Sequence, residues 1–103
     1  MVIYVMKWDL LPNAEKEGYT TWSPTAIGRL IKVPGVQEFR AYRTVASDRQ
    51  IVCTYEFRSM SDFSTWQDSV DVQAVRTELY QYANHVTCEL WGPSPVVPDP
   101  IRP

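Results

Sequence analysis

Val36-Gln-Glu-Phe-Arg-Ala-Tyr-Arg-Thr-Val45 and, after the polar turn Ala46-Ser-Asp-Arg-Gln50, Ile51-Val-Cys-Thr-Tyr-Glu-Phe57 are the segments that decide the fold. Both alternate. Phe39, Ala41 and Val45 fall on one side of the first, with Glu38, Arg40 and Tyr42 on the other. In the second, Ile51, Cys53, Tyr55 and Phe57 oppose Val52, Thr54 and Glu56. Two half-buried strands joined by a short polar turn predict an antiparallel hairpin.

Upstream of the hairpin, residues 2–9 are rich in β-branched and aromatic side chains and run into the breaker Leu10-Leu11-Pro12-Asn13, which marks a first strand. From Asn13, a candidate N-cap, the chain turns helical, with Tyr19, Trp22, Ile27, Leu30 and Ile31 spaced to share a face. Pro24 interrupts this segment. Because Ser23-Pro24 also reads as an N-cap followed by proline at the first helical position, the segment is one kinked helix or two shorter ones, ended by Pro34-Gly35.

Downstream, Ser59-Met-Ser-Asp62 fits a capping box, and Phe63, Trp66 and Val70 follow at helical spacing. The apolar stripe then changes phase: Val72, Val75, Leu79, Tyr82 and Ala83 form a second stripe out of register with the first, which places a break around residues 69–71. Val86-Thr-Cys-Glu-Leu-Trp91 is the last strand, with Val86, Cys88 and Leu90 on one face and Thr87, Glu89 and Trp91 on the other. Pro93, Pro95, Pro98, Pro100 and Pro103 make residues 93–103 a proline-rich arm that cannot pair as an inner strand.

The order β-α-β-β-α-β predicts an α+β, ferredoxin-like sandwich over residues 1–92, an antiparallel sheet with its helices on one face. The opposite face mixes Tyr42, Val52, Thr54 and Trp91 with Glu38, Arg40, Glu56 and Glu89, too apolar for open solvent and too charged for a core. A homodimer through these faces, with the arm docked on the partner subunit, accounts for both features.

Composition removes several functions. A chain of 103 residues makes one domain on the usual range of roughly 100–200. Apolar residues at 45% and charged residues at 21% suit a folded globular chain. Ten Lys and Arg against twelve Asp and Glu, with no basic run, leave no footprint for nucleic acid. No apolar run approaches the ~18 residues of a membrane span, and the N-terminal residues lack the marks of a secretion signal, so a cytoplasmic protein is expected. Cys53, Cys88 and His85 are too few for a Cys/His metal centre, and the carboxylates are scattered, so no metal is expected. Both cysteines lie in apolar strand-like stretches and read as reduced core thiols. Four scattered glycines form no phosphate loop.

With this order of elements the chain resembles the dimeric α/β-barrel superfamily and, within it, the antibiotic biosynthesis monooxygenase family. Val33-Pro-Gly-Val36, Tyr55-Glu-Phe-Arg-Ser59 and Asp62-Phe-Ser-Thr-Trp66 followed by a helix break carry the resemblance, which extends over residues 1 to about 92. It implies a small-molecule enzyme that needs no metal or flavin, because an electron-rich phenolic substrate reacts with oxygen itself. The haem-degrading branch of the fold requires an Asn late in the first strand and a His ten residues after the helix Trp. Here Lys7 and Trp8 occupy the strand end and Arg76 stands ten residues after Trp66. A protonated guanidinium has no lone pair for iron, which disfavours haem degradation.

The resemblance places a pocket between helices and sheet, where Trp22, Tyr55, Trp66 and Tyr80 are candidates to wall a planar ligand. Large aromatics at helical or strand spacing usually pack a core, and only Trp66, at the family's aromatic position, is as much a site residue as a core one. Arg76 is a candidate to hold a phenolate, enolate or carboxylate by paired N–H donors, or else a solvated arginine on the outer helix face. His85 is the one side chain whose ordinary pKa suits proton transfer near neutrality, or else a surface histidine at a helix end. A cofactor-independent monooxygenase-like enzyme on a small aromatic or polyketide-like molecule is the leading expectation. A non-catalytic dimeric binding module and a cyclase or isomerase on the same scaffold are the alternatives.

Overall fold

The computed structural model describes all of residues 1–103. Strands β1 (Val2–Leu10), β2 (Val36–Arg43), β3 (Ile51–Phe57) and β4 (Ala83–Trp91) form one antiparallel sheet in the order β2-β3-β1-β4. Helices α1 (Tyr19–Lys32), α2 (Met60–Gln67) and α3 (Val70–Leu79) complete an α+β ferredoxin-like fold.

Register fixes which side chains share a face. On the helix side one row across the sheet reads Ala41, Cys53, Met6 and Cys88, and the next Phe39, Tyr55, Tyr4 and Leu90. On the open side the rows are Tyr42, Val52, Lys7, Thr87, then Arg40, Thr54, Val5, Glu89, then Glu38, Glu56, Ile3, Trp91. The mixed face expected from the alternation is therefore a real surface, laced by Lys7–Glu89 at 3.2 Å and Arg40–Glu38 at 2.7 Å.

The core lies between the helix side of the sheet and the three helices. Trp66 is its centre, 1% exposed, with the rings of Tyr55, Phe57, Tyr4 and Phe63 around it at centroid distances of 5.2, 5.1, 6.0 and 6.3 Å. Its indole Nε1–H donates to the Leu30 carbonyl at 2.9 Å, so the ring joins α2 to α1 while burying no unpaired donor.

Helix boundaries follow local chemistry, with one departure from expectation, at Asn13. The capping residue Ser59 accepts from the Asp62 amide at 3.2 Å, as the capping box requires, and the phase change of the stripe falls at Asp68-Ser69 between two separate helices. Asn13, by contrast, caps nothing: residues 12–18 form turns, and α1 starts only after Gly18, whose φ of 96° lies outside the helical basin. Pro24 sits inside one continuous helix, where only the Thr20 carbonyl loses its partner and Thr20 is exposed to water. Cys88 is exposed and is not a core thiol, because β4 is the sheet edge; Cys53, beneath α1 and α3, is buried. Gly35 reaches φ 127° in the turn into β2, with the Phe57 ring against it.

Beyond Trp91 the chain has no regular structure, and residues 92–103 are exposed. The Ser94 hydroxyl accepts from the amides of Val96 and Val97 at 3.1 Å each, which turns the arm without pairing it to the sheet. No helix is long and apolar enough to cross a membrane.

Candidate functional site

Between α1, α3 and the helix side of β1 and β3 lies a cavity of about 870 Å³, within the range that accepts a drug-sized molecule. Its existence follows from uneven covering of the sheet. The space opens toward β2, which lines it with Ala41, Tyr42 and Arg43 and sets only the small Ala41 beside Cys53. Trp22, Tyr55 and Trp66 contribute to the wall, together with Trp8, Tyr19 and Leu30.

Arg76 lies at one side of the cavity, half-buried. Its guanidinium sits 5.9 Å from the centroid of the Tyr4 ring and donates weakly to Cys88 Sγ at 3.8 Å. The Tyr4 hydroxyl donates to the same sulfur at 3.1 Å. Burial, then this bond, holds the Tyr4 phenol well above its usual pKa, so it stays a neutral donor. Stacking on Tyr4 leaves Arg76 without a carboxylate partner, with N–H groups free for a ligand. The other charged lining residue is Arg43, at the β2 edge. No carboxylate and no histidine lines the space, although the whole chain carries a net charge of −2.

Tyr55 is buried almost completely and burial drives its phenol far above the usual value, so it acts here as an aromatic wall rather than an acid. Burial likewise pushes the Cys53 thiol up to about 12, which keeps it protonated. Trp22 donates its indole N–H to Glu78 at 2.9 Å and stacks on Tyr82 at 4.9 Å.

Two of the residues singled out in the sequence lie elsewhere. Tyr80 is 61% exposed at the C-terminal end of α3, because the inward Leu79 before it turns the next side chain away by about 100°. His85 lies outside the cavity with its side chain 62% exposed. A register shift between Lys7 and Asp9 and a φ of 54° at His85 bring its Nδ1 to 2.9 Å from Asp9 Oδ2. That hydrogen bond is the main reason the Asp9 carboxyl is held below its ordinary pKa. The pair ties β1 to β4 and lies outside the cavity. Trp8 and Tyr19, which line the cavity, gave no sign in the sequence beyond their apolar strand and helix positions. No three His, Cys, Asp or Glu side chains gather where a metal ion could be held.

No protein-family model matches the chain, and no curated protein matches it. Solved structures do. The chain is similar to a dabb family protein with a ferredoxin-like fold from Mesorhizobium loti, at 17% identity and a TM-score of 0.79 over 90% of this chain and 96% of that one. It is similar to SnoaB, a cofactor-independent oxygenase from Streptomyces nogalater, at 12% identity and a TM-score of 0.74 over 95% and 97% of the two chains. A dimeric protein of unknown function with a ferredoxin-like fold from Bacteroides fragilis matches at 14% identity and a TM-score of 0.68 over 87% and 93%. At these identities the likeness is one of fold, and that fold is the one expected from the sequence.

Proposed function

We propose that the cavity takes a flat, mainly apolar phenol or enol of aromatic or polyketide-like kind, bound as its anion, and that the chain acts on it as a cofactor-independent monooxygenase-like enzyme. The observation that carries this reading is the charge of the site: an acidic chain whose cavity holds two arginines and no carboxylate. The Arg76 guanidinium lowers the pKa of a ligand hydroxyl placed against it, so the phenolic proton passes to water without a side-chain base. The ionised ring then has the electron density to react with oxygen. A methylene between aromatic rings becomes a carbonyl, one oxygen atom enters the product and the other leaves as water, with all electrons drawn from the substrate. His85 and Tyr80, outside the cavity, have no step in it. Similarity in fold to a cofactor-independent oxygenase supports the reading.

The absence of any carboxylate or imidazole in the lining favours a second reading, a module that binds such a molecule without turning it over. The same absence weighs against a cyclase or isomerase, which depends on side-chain proton transfer. A hydroxylated anthrone incubated with the protein in an oxygen electrode separates the readings. Oxygen uptake above the protein-free rate, matched one to one by quinone formed and abolished in Arg76→Met, supports the oxygenase. Binding with uptake at the protein-free rate leaves only the binding module.

We also take the chain to be a homodimer through the open sheet face. Val52, Ile3 and Trp91 leave apolar side chains partly exposed on it, and the Bacteroides structure of the same fold is a dimer. Sedimentation at micromolar concentration should give twice the 11.9 kDa chain mass; a monomer overturns the assignment.

A further inference from the structure

Two tyrosines pair across the middle of the sheet and use their hydroxyls differently. Tyr4 on β1 lies opposite Tyr55 on β3, with ring centroids 5.8 Å apart. Tyr4 donates its proton to Cys88 Sγ at 3.1 Å. Tyr55 is 3% exposed, and no hydrogen bond within the chain acts on its phenol. Its oxygen is nevertheless not sealed in. Trp8 Nε1 is the one side-chain nitrogen or oxygen that is both closed off and unpartnered, so the unpartnered Tyr55 hydroxyl keeps accessible surface. Tyr55 is a buried residue that lines the cavity, and that surface therefore belongs to the cavity wall.

The ring has no freedom to swing toward an acceptor elsewhere. Phe39, Trp66 and Tyr4 hold it at centroid distances of 5.1, 5.2 and 5.8 Å. A buried O–H fixed in direction and without an acceptor is costly, and native proteins rarely keep one without a use. The groups that act on it through their charge or polarity are Cys53 on β3, Tyr4 on β1, Cys88 on β4 and Arg76 on α3. Arg76 is the one cation among them, and its guanidinium lies 5.9 Å from the centroid of the same Tyr4 ring. No carboxylate lines the cavity to compete for either donor. Tyr19, the other inward phenol of the wall, is half-buried, and the Trp8 and Ser23 donors already face its oxygen.

We propose that Tyr55 is a ligand-binding residue whose Oη–H donates to the ionised ligand oxygen that Arg76 faces, so that one neutral phenol and one guanidinium hold the anion together. This rests on the reading of the cavity as a site for an ionised phenol or enol, and it turns the ionised oxygen toward the sheet between β3 and α3. Burial keeps the Tyr55 phenol protonated, so it offers a hydrogen bond without surrendering its proton. A donor binds a charged oxygen more strongly than a neutral one, and Tyr55 therefore favours the ligand's anion over its neutral form.

Tyr55→Phe keeps the ring and removes only the hydroxyl, and 2-naphthol with naphthalene probes the difference. Since the hydroxyl has no partner in the chain, the urea midpoint of the variant should not fall. The wild-type protein should bind the naphtholate about tenfold or more tightly than Tyr55→Phe does, while naphthalene binds both equally. Bound 2-naphthol, titrated by its absorbance, should have a pKa about one unit higher in the variant than in the wild type. Equal naphtholate affinities, an unmoved pKa of the bound naphthol, a matching loss of naphthalene binding, or a lowered urea midpoint overturns the proposal and leaves Arg76 as the sole holder of the anion. Binding of neither compound by the wild type overturns the proposal together with the cavity reading beneath it.

Discussion

Trp22 on α1 donates its indole N–H to Oε1 of Glu78 on α3 at 2.9 Å, and Arg29, two turns further along α1, grips both oxygens of the same carboxylate at 2.8 and 2.9 Å. One carboxylate thus spans the two helices that wall the cavity. The Trp22 bond, then the Arg29 bonds, hold the Glu78 pKa below its usual 4.5. A depressed carboxyl pKa stabilises the fold above the unfolded value and loses that contribution as pH falls through the folded value. Between pH 7 and about pH 3 the urea midpoint of the wild type should therefore fall further than that of Glu78→Gln, which keeps an acceptor for Trp22 but has no proton to gain. Parallel pH profiles for the two proteins would show that the tie contributes nothing.

Removing the acceptor altogether is a different experiment. Glu78→Ala leaves the Trp22 N–H and the Arg29 charge unpaired at a half-exposed site, and should cost about 1 kcal/mol in urea unfolding. Ligand affinity should fall with it, since the width of the cavity depends on how α1 sits against α3. An intact affinity would place the control of cavity width elsewhere.

Trp66 is both wall and core, and the structure decides which role dominates on truncation. With four aromatic neighbours, 1% exposure and a bond to the Leu30 carbonyl, Trp66→Ala should cost about 3–5 kcal/mol, visible as a large drop in the urea midpoint. A cost below about 1 kcal/mol would mean that the site collapses around the missing ring.

Arg76 separates charge from geometry. Arg76→Lys keeps a cation but loses the planar fork and the stacking on Tyr4, so affinity for a phenolic ligand should fall about tenfold, while Arg76→Met should lose more. Titrations of a naphthol across its own pKa should show tighter binding of the anion in the wild type only. Equal affinities for neutral and ionised naphthol would remove the anion from the assignment.

The fold was legible because its determinants are periodic. Alternation through residues 36–57 predicts the hairpin of β2 and β3, and the change of phase places a break around residues 69–71, within a residue or two of the Asp68-Ser69 gap between α2 and α3, since both features follow from which face must be buried. What escaped depends on single backbone angles and on edges. Asn13 has the chemistry of a cap, but the left-handed Gly18 sets where α1 begins. Cys88 has the neighbours of a core residue, but its strand is outermost. Tyr80 falls on the wrong side by one helical position, and His85 is carried away from the cavity by a bulge that no residue type announces. Trp8 reads as one more apolar strand residue, and its place in the cavity wall is decided by neighbours distant in sequence.

The thiols differ in a way that a reagent reads directly. Cys88 is exposed, whereas Cys53 is buried with its pKa pushed up to about 12. Since the thiolate is the reactive form, iodoacetamide at pH 8 should label one thiol per native chain and two in urea. Two labelled thiols in the native protein would mean that the floor of the cavity opens on the timescale of labelling.

The arm presents apolar side chains without cover. Val96 and Ile101 are 87% and 77% exposed, and the proline spacing stiffens the segment that carries them. A stiff segment loses little entropy when it docks, and burying one Val or Ile is worth about 1.5–3 kcal/mol, so one such contact is enough to change a dissociation constant by at least about tenfold. The arm leaves the sheet at Trp91, on the open face and in the edge strand, which puts it beside the surface proposed to pair two chains. Deleting residues 94–103 should therefore raise the dimer Kd about tenfold or more, while the urea midpoint of the protomer, measured at a concentration where both forms are monomeric, stays unchanged. An unchanged Kd would show that the arm binds its own subunit or nothing, and a lowered protomer midpoint would place it on its own sheet.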